Sequence, residues 1–272
     1  MEIHKKAHAK INLYLKISDK RPDGYHGIYT VMQKISLSDE IIIDIFPGSG
    51  RGINISCDNS NIPADKTNTA CRAADLFFLS AGIKNTGADI HIEKKIPAKA
   101  GLGGGSSDAA SVLLGLNEYY DFILSETDLL KIGAKIGADV PFFVKNTPCA
   151  LCRGIGEIVS PRKTDLSEKF CLIVKPVYDI SAKQAYEDWD KYIKPAAAQK
   201  KWSNDFSGLI FSQNKNIAEI YGMLKNFAAA ELCGSGSAVF GIFDDLKTAK
   251  KNKDLINLRN DVEFCDIFDF LS

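Results

Sequence analysis

IPAKAGLGGGSSDAASVLLGLN, residues 96–117, decides the fold. Gly101, Gly103, Gly104 and Gly105 run straight into a stretch where Ala109, Val112, Leu113 and Leu116 recur at helical spacing. A glycine run that opens a helix turns unshielded backbone N–H groups and the positive end of the helix dipole onto one spot, which favours an anion. Each glycine costs roughly 0.5–1 kcal/mol of chain entropy relative to alanine, so a plain connector would seldom accumulate several. Ser106 or Ser107 is the expected N-cap. The run is not a Walker A sequence, because no GK[ST] follows at the required distance, and Ser106 stands where GxGxxG needs its last glycine. The pattern calls for a third kind of phosphate loop.

Upstream, residues 11–17 alternate, putting Ile11, Leu13, Leu15 and Ile17 on one face of a strand and Lys10, Asn12, Tyr14 and Lys16 on the other. Arg21-Pro22-Asp23-Gly24 reads as a turn that presents Tyr25 and His26 at its exit. Strands are expected at Ile41–Ile45 and Ile90–Ile92. Downstream, Ser125-Glu126-Thr127-Asp128 resembles a capping box for a second helix ending near Gly137. Pro141 disfavours a helical Val140, which places Asp139 at a helix-to-extended junction. A charged stretch near Ser160–Glu168 marks the expected boundary, within about ten residues, between domains at 1–160 and 161–272. The second half reads strand (Phe170–Val174), helix capped at Ser181, helix, strand (Ala238–Phe243), helix, strand (Val262–Ile267). That order suggests a split βαβ sandwich of the α+β class.

Thirty-four basic side chains balance 34 acidic ones, so no global field steers the chain onto nucleic acid or an anionic membrane. The opening MEIHKKAHAK is charged where a secretory signal needs an apolar core, and no stretch approaches the roughly 18 apolar residues of a membrane span. The expected location is cytoplasmic. Seven scattered cysteines are expected to stay thiols, and the one CxxC, Cys149 and Cys152, has no second pair to complete a zinc site. His4 and His8 lack the glutamate of a zinc-protease helix and fit a solvated strand.

Residues 96–116 resemble the phosphate-loop motif of the GHMP kinase superfamily, the galactokinase, homoserine kinase, mevalonate kinase and phosphomevalonate kinase group. Within it GLGGGSSDAAS resembles the form found in the 4-diphosphocytidyl-2-C-methyl-D-erythritol kinase branch. AHAKINLYLKISDKRPDGYHGIYTVMQKISLSDEI and IGADVPFFV match the same branch, and Cys233-Gly234-Ser235-Gly236-Ser237-Ala238 resembles a third, weaker superfamily motif. The resemblance implies a two-domain architecture, an N-terminal α+β domain with the phosphate loop and a C-terminal ferredoxin-like domain, with the site between them. It implies ATP as phosphoryl donor with Mg2+, and a small-molecule acceptor, a cytidine-diphosphate-linked methylerythritol, on the non-mevalonate route to isoprenoid precursors.

Carried residue by residue, the resemblance puts Asp139 in the position of the base and Lys10 between it and the transferred phosphoryl group. By itself Asp139 reads equally well as a turn residue at a helix end. The resemblance assigns Gly101, Leu102, Gly103, Gly104, Gly105, Ser106 and Ser107 to the phosphates, with Asn68, Lys94 and Pro97 near the nucleotide. Asp108 and Ser107 are expected to help a magnesium ion through water, although such an ion is held largely by phosphates and need have no protein cage. Tyr25 and Tyr186 would sandwich cytosine and His26 would read its polar edge, with Asn12 and Asp139 facing the acceptor. Ala182 stands where the branch leads us to expect Thr, a departure that bears on one substrate-side hydroxyl contact. Another superfamily kinase acting on homoserine, mevalonate or a sugar remains the alternative, distinguished by Asp23-Gly24-Tyr25-His26; a non-catalytic nucleotide-responsive regulator would be expected to lack Asp139 or Lys10.

Overall fold

The computed structural model describes residues 2–192 and 203–272. β1 (Glu2–Lys20) and β2 (His26–Phe46) form a long antiparallel hairpin. The turn between them is the expected one: Gly24 sits at φ 84° and its N–H donates to the Arg21 carbonyl at 3.0 Å. β3 (Ile53–Cys57), α1 (Thr69–Ser80), β4 (Gly87–Glu93), α2 (Gly104–Tyr119), α3 (Glu126–Ile136), α4 (Val140–Val144), β5 (Cys149–Gly154) and β6 (Ile158–Pro161) complete the first half. β4 borders residues 40–46 of β2, β5 borders residues 28–33 of the same strand, and β6 lies beyond β5.

The second half comprises β7 (Phe170–Pro176), α5 (Ala182–Lys191), β8 (Ser203–Asn204), α6 (Phe206–Gln213), α7 (Lys215–Lys225), β9 (Ala229–Leu232), β10 (Val239–Phe243), α8 (Leu246–Ile256) and β11 (Val262–Asp269). Its sheet runs β11-β7-β10-β9, with every pair antiparallel. Helices between β7 and β9 and between β10 and β11 give the βαββαβ order of a ferredoxin-like fold. The α+β expectation therefore holds. The halves also interlock: β8 pairs parallel with β1, and Phe270 bridges to Ile35 of β2.

Three cores follow from the alternation of β1 and β2. Ile41, Ile43 and Ile45 pack beneath α1, α2 and α3. Leu15 and Ile17 join the core built by the second-half helices. Ile11 and Leu13 meet Ile173, Phe240 and Ile242 of the second sheet, and Leu102 and Ala100 of the glycine loop plug into the same cluster. Burying such aliphatic side chains stabilises each by about 1.5–3 kcal/mol. The loop is thereby anchored where the two halves meet.

Three local expectations need correction. The N-cap of α2 is Gly103, at φ 75°, and neither Ser106 nor Ser107, both of which lie inside the helix; the Ser107 N–H donates to the Gly103 carbonyl at 2.9 Å. The helix opens within the glycine run because an amide lacking a neighbouring Cβ can stay open to a ligand while still helical. Asp139 leads into the short helix α4, not into extended chain. Pro141 lies in the first turn of α4, where a missing N–H removes no helical bond, and the burial of Val140, Phe142 and Phe143 outweighs the pre-proline preference. Among the described residues three helices, not two, separate β7 from β9, because Asn214 ends α6 and caps α7 by accepting from the Ile217 N–H; β8 and β9 were too short to show as periodic runs. Ser125 caps α3 as expected, and Cys149 and Cys152 are buried strand residues.

Candidate active site

Lys10 and Asn12 project from β1 between two irregularities in its pairing with β2, at His8/Lys10 and Asn12/Tyr14. Such bulges re-aim side chains that a regular strand would hold to the pleat. Lys10 Nζ donates to Asn12 Oδ1 at 2.8 Å and to the Gly101 carbonyl at 3.0 Å, and pairs with Asp139 Oδ2 at 3.3 Å. Asn12 is oriented in turn by donating to Thr30 Oγ1 at 2.8 Å. The Lys10 side chain is only 4% exposed, against 26% for Asp139. As N-cap residue of α4, Asp139 makes no capping bond with its carboxylate, which is left to face Lys10.

The glycine loop meets Lys10 through its backbone, since the Lys10 N–H donates to the Leu102 carbonyl at 2.9 Å. A second loop, residues 233–237, lies directly against it: a Cβ on Gly101 would fall 1.9 Å from the Cys233 carbonyl oxygen. Gly101 can therefore only be glycine. Side chains cap the neighbouring helices α1 and α3, yet none caps α2. Its first-turn amides keep their capacity for an anion.

Behind the loop, Lys94 Nζ donates to Asp39 Oδ2 and, at 2.8 Å, to Asp108 Oδ2, all three side chains being almost wholly buried. Asp39 also accepts from the Lys95 and Ile96 N–H groups at 2.6 and 2.8 Å, fixing the approach to the loop. Two carboxylates thus share one ammonium. Burial first, with the Asp39 charge adding to it against the pull of Lys94, pushes the Asp108 carboxyl above its ordinary value. Asp108 Oδ1 is buried without a hydrogen-bond partner.

Two cavities adjoin. One, about 330 Å³, is walled by Lys10, Asp139, Ser106, Lys99 and both glycine loops. The other, about 520 Å³, is walled by Tyr25, His26, Asp190 and Lys183, and both share Ala138, Ile155, Ala182 and Tyr186. Tyr25 is 62% exposed at the rim. The Tyr186 ring stacks on His26, with centroids 5.7 Å apart and planes inclined by 19°. Burial, with the Asp139 charge adding to it, holds the Tyr186 phenol well above its ordinary value, so it stays a donor. His26 has both ring nitrogens engaged, Nδ1 with the Ser18 carbonyl at 2.9 Å and Nε2 with Asp190 Oδ1 at 2.8 Å. A base edge reaching that ring has to displace Asp190.

The structure thus brings Lys10, Asn12, Gly101, Gly103, Ser106, Asp139 and Tyr186 to one cavity, and Tyr25 and His26 to its neighbour. Asn68, Lys94, Pro97, Ser107 and Asp108 line neither cavity. Asn68 caps α1, its Oδ1 accepting from the Ala70 N–H at 2.9 Å. Two residues were missed. Asp39 falls on the inward parity of Ile35, Leu37, Ile41 and Ile43, and a carboxylate on a buried parity was the available signal. Asp190 follows Tyr186 by four residues on α5, the helical spacing that shares a face.

The fold, with an anion cradle at a helix start beside a buried lysine and a carboxylate in one cavity and a second cavity adjoining it, fits a phosphotransferase of the GHMP kinase class. The family models for the GHMP kinases N terminal domain and GHMP kinases C terminal match residues 68–147 and 193–254. A 4-diphosphocytidyl-2-C-methyl-D-erythritol kinase of Desulfotalea psychrophila is 36% identical over 266 residues, covering 92% of this chain and 88% of its own length. One of Carboxydothermus hydrogenoformans is 39% identical, with 90% of each chain covered. A crystal structure of 4-(cytidine 5'-diphospho)-2C-methyl-D-erythritol kinase superposes with a TM-score of 0.79 at 27% identity, over 98% of this chain and 99% of that one. The chain belongs to the 4-diphosphocytidyl-2-C-methyl-D-erythritol kinase family of GHMP kinases, and is an ATP-dependent kinase. No helix among the described residues is long and apolar enough to cross a membrane.

Proposed function

We propose that this chain transfers the γ-phosphoryl group of ATP to the 2-hydroxyl of 4-diphosphocytidyl-2-C-methyl-D-erythritol, in the cytoplasm, on the non-mevalonate route to isoprenoid precursors. The observation that carries this reading is the Lys10–Asp139 pair, 3.3 Å apart in a cavity that opens into an aromatic cleft. Asp139 takes the hydroxyl proton as the acceptor oxygen bonds to the γ-phosphorus; the bond to the β,γ-bridging oxygen breaks and ADP leaves. Lys10 offsets the negative charge that develops on the transferred group. Backbone amides of residues 101–107 hold the donor phosphates, with Asn68, Lys94 and Pro97 on the nucleotide side. Tyr25 and Tyr186 supply stacking surface for the base, His26 its polar recognition, and Asn12 a contact to the acceptor. The phosphate loop belongs to a domain at 1–160 and the ferredoxin-like domain to 161–272.

Magnesium, when bound with ATP, shields the phosphate charge and is held largely by the phosphates. Among the described residues no three His, Cys, Asp or Glu side chains converge as a metal cage. Asp108, whose Oδ1 is buried and unpartnered, and Ser107 would be the residues to hold such an ion through water.

The test is a turnover assay offering ATP with the cytidylated erythritol, homoserine and mevalonate side by side. Phosphorylation of the cytidylated compound alone supports the reading, and preference for either of the others overturns it.

A further inference from the structure

We propose that Lys99 is a phosphate-binding side chain of the reaction cavity, held on Asp179 until a ligand arrives. The inference rests on the kinase reading and adds to it a residue that neither the motif nor the spacing singled out. Lys99 stands in the glycine loop between Pro97 and Gly101, and it lines the same cavity as Lys10 and Asp139. Of the charged side chains in that wall, Lys10 is already matched by Asp139, which leaves Lys99 as the second cation facing an incoming polyphosphate.

The backbone supplies an independent reason. Lys99 sits at φ 51°, a left-handed conformation that a residue with a β-carbon adopts at a cost. The same loop solves that problem with glycine at positions 101 and 103, at φ 74° and 75°. A lysine kept in such a conformation points to a use for the side chain, because the backbone alone would be better served by glycine.

Without a ligand the ammonium is occupied, but loosely. Lys99 Nζ donates to Asp179 Oδ2 at 3.0 Å, with the two side chains 63% and 50% exposed. Ion pairs this open to water are weak. Asp179 has a second cation on its other oxygen, Lys175 at 3.1 Å, and that fully buried lysine also holds Glu263 at 2.6 Å. Asp179 therefore remains paired when Lys99 leaves it. A phosphate oxygen in the cavity offers a denser negative charge than the exposed carboxylate and draws the ammonium inward. That oxygen can come from the diphosphate of the cytidylated acceptor or from the triphosphate of ATP, and the chemistry of recognition is the same.

Calorimetric titration of the whole chain with CDP and, separately, with a non-hydrolysable ATP analogue distinguishes the two sources. Lys99→Ala should weaken one of these ligands roughly tenfold, the loss of one charge-assisted hydrogen bond, and Lys99→Arg should restore most of it. A fall in the CDP arm assigns Lys99 to the acceptor, and a fall in the ATP-analogue arm assigns it to the donor. Lys99→Gly, relieved of the backbone conformation, should melt no lower than the parent protein and still bind as poorly as Lys99→Ala. Asp179→Asn, which frees the ammonium, should bind about two- to threefold more tightly. Unchanged affinity of Lys99→Ala for both ligands would overturn the proposal while leaving the kinase reading intact. So would weakened binding by Asp179→Asn, since the pair would then act only as a brace between the loop and the chain before α5. Parent protein that bound neither ligand would overturn the kinase reading and this proposal together.

Discussion

Lys10 Nζ lies between the Gly101 carbonyl and Asp139 Oδ2, at 3.0 and 3.3 Å, so one buried ammonium ties the glycine loop to the carboxylate that opens α4. Lys10→Met keeps the length of the side chain and removes its charge. We expect kcat to fall by roughly 10²–10³, the usual cost of losing one group that stabilises developing charge, with a smaller change in the KM for ATP. Steady-state kinetics at saturating acceptor would show it, and an unchanged kcat would mean that the ammonium serves only the fold.

Gly101 carries the contact between the two glycine loops. In Gly101→Ala the new methyl would stand 1.9 Å from the Cys233 carbonyl oxygen at a residue already held at φ 74°, so the loops must separate. The expected destabilisation is about 1–3 kcal/mol, read as a lowered melting temperature together with weaker binding of an ATP analogue. A variant that melted and bound as the parent does would show that the loops are free to part.

The Asp39–Lys94–Asp108 cluster predicts a pH dependence. Burial, the largest cause, raises the Asp108 carboxyl to about 7, well above the ordinary carboxylate range. A carboxyl raised in the folded state contributes stability that is fully present below its unfolded value and is lost as pH rises through the folded one. Asp108→Asn leaves Lys94 with Asp39 as a matched pair and removes the surplus negative charge. Thermal unfolding at pH 5 and pH 8 should therefore show a steeper loss of stability with pH in the parent than in Asp108→Asn. Equal slopes would place the titration elsewhere.

Tyr25 is exposed and contributes little to any core, so Tyr25→Ala should fold normally. If its ring stacks on the base, the KM for the cytidylated substrate should rise about tenfold, in line with roughly 1–3 kcal/mol per base stacked, while the KM for ATP stays put. A rise confined to ATP would reverse the assignment of the two cavities.

Much of this architecture was legible in the sequence because periodicity and chemistry coincided. The alternation through Ile11–Ile17 fixed both the buried face of β1 and the shared face of Lys10 and Asn12, and Ser125 announced the start of α3 by its capping side chain. What stayed hidden depended on contacts between distant segments. Nothing local shows that the Gly101 backbone abuts residues 233–236, that Asp39 reaches across to Lys94, or that Asp190 claims the His26 ring. The same reason governs Gly104, where a Cβ would meet Ile96 and Lys94 Nζ, at 3.2 and 3.3 Å. Asp139 showed the converse failure: the local pre-proline preference was sound, and packing of Val140 and Phe142 overrode it.

In the proposed reaction Asp139 takes the proton, and Asp139→Asn changes little but its capacity to do so. The decisive measurement is kcat for the cytidylated substrate in that variant beside the dissociation constant of an ATP analogue. A fall in kcat of about two to four orders of magnitude with nearly intact nucleotide affinity is the expected result. Full turnover by Asp139→Asn would contradict the assignment of the base.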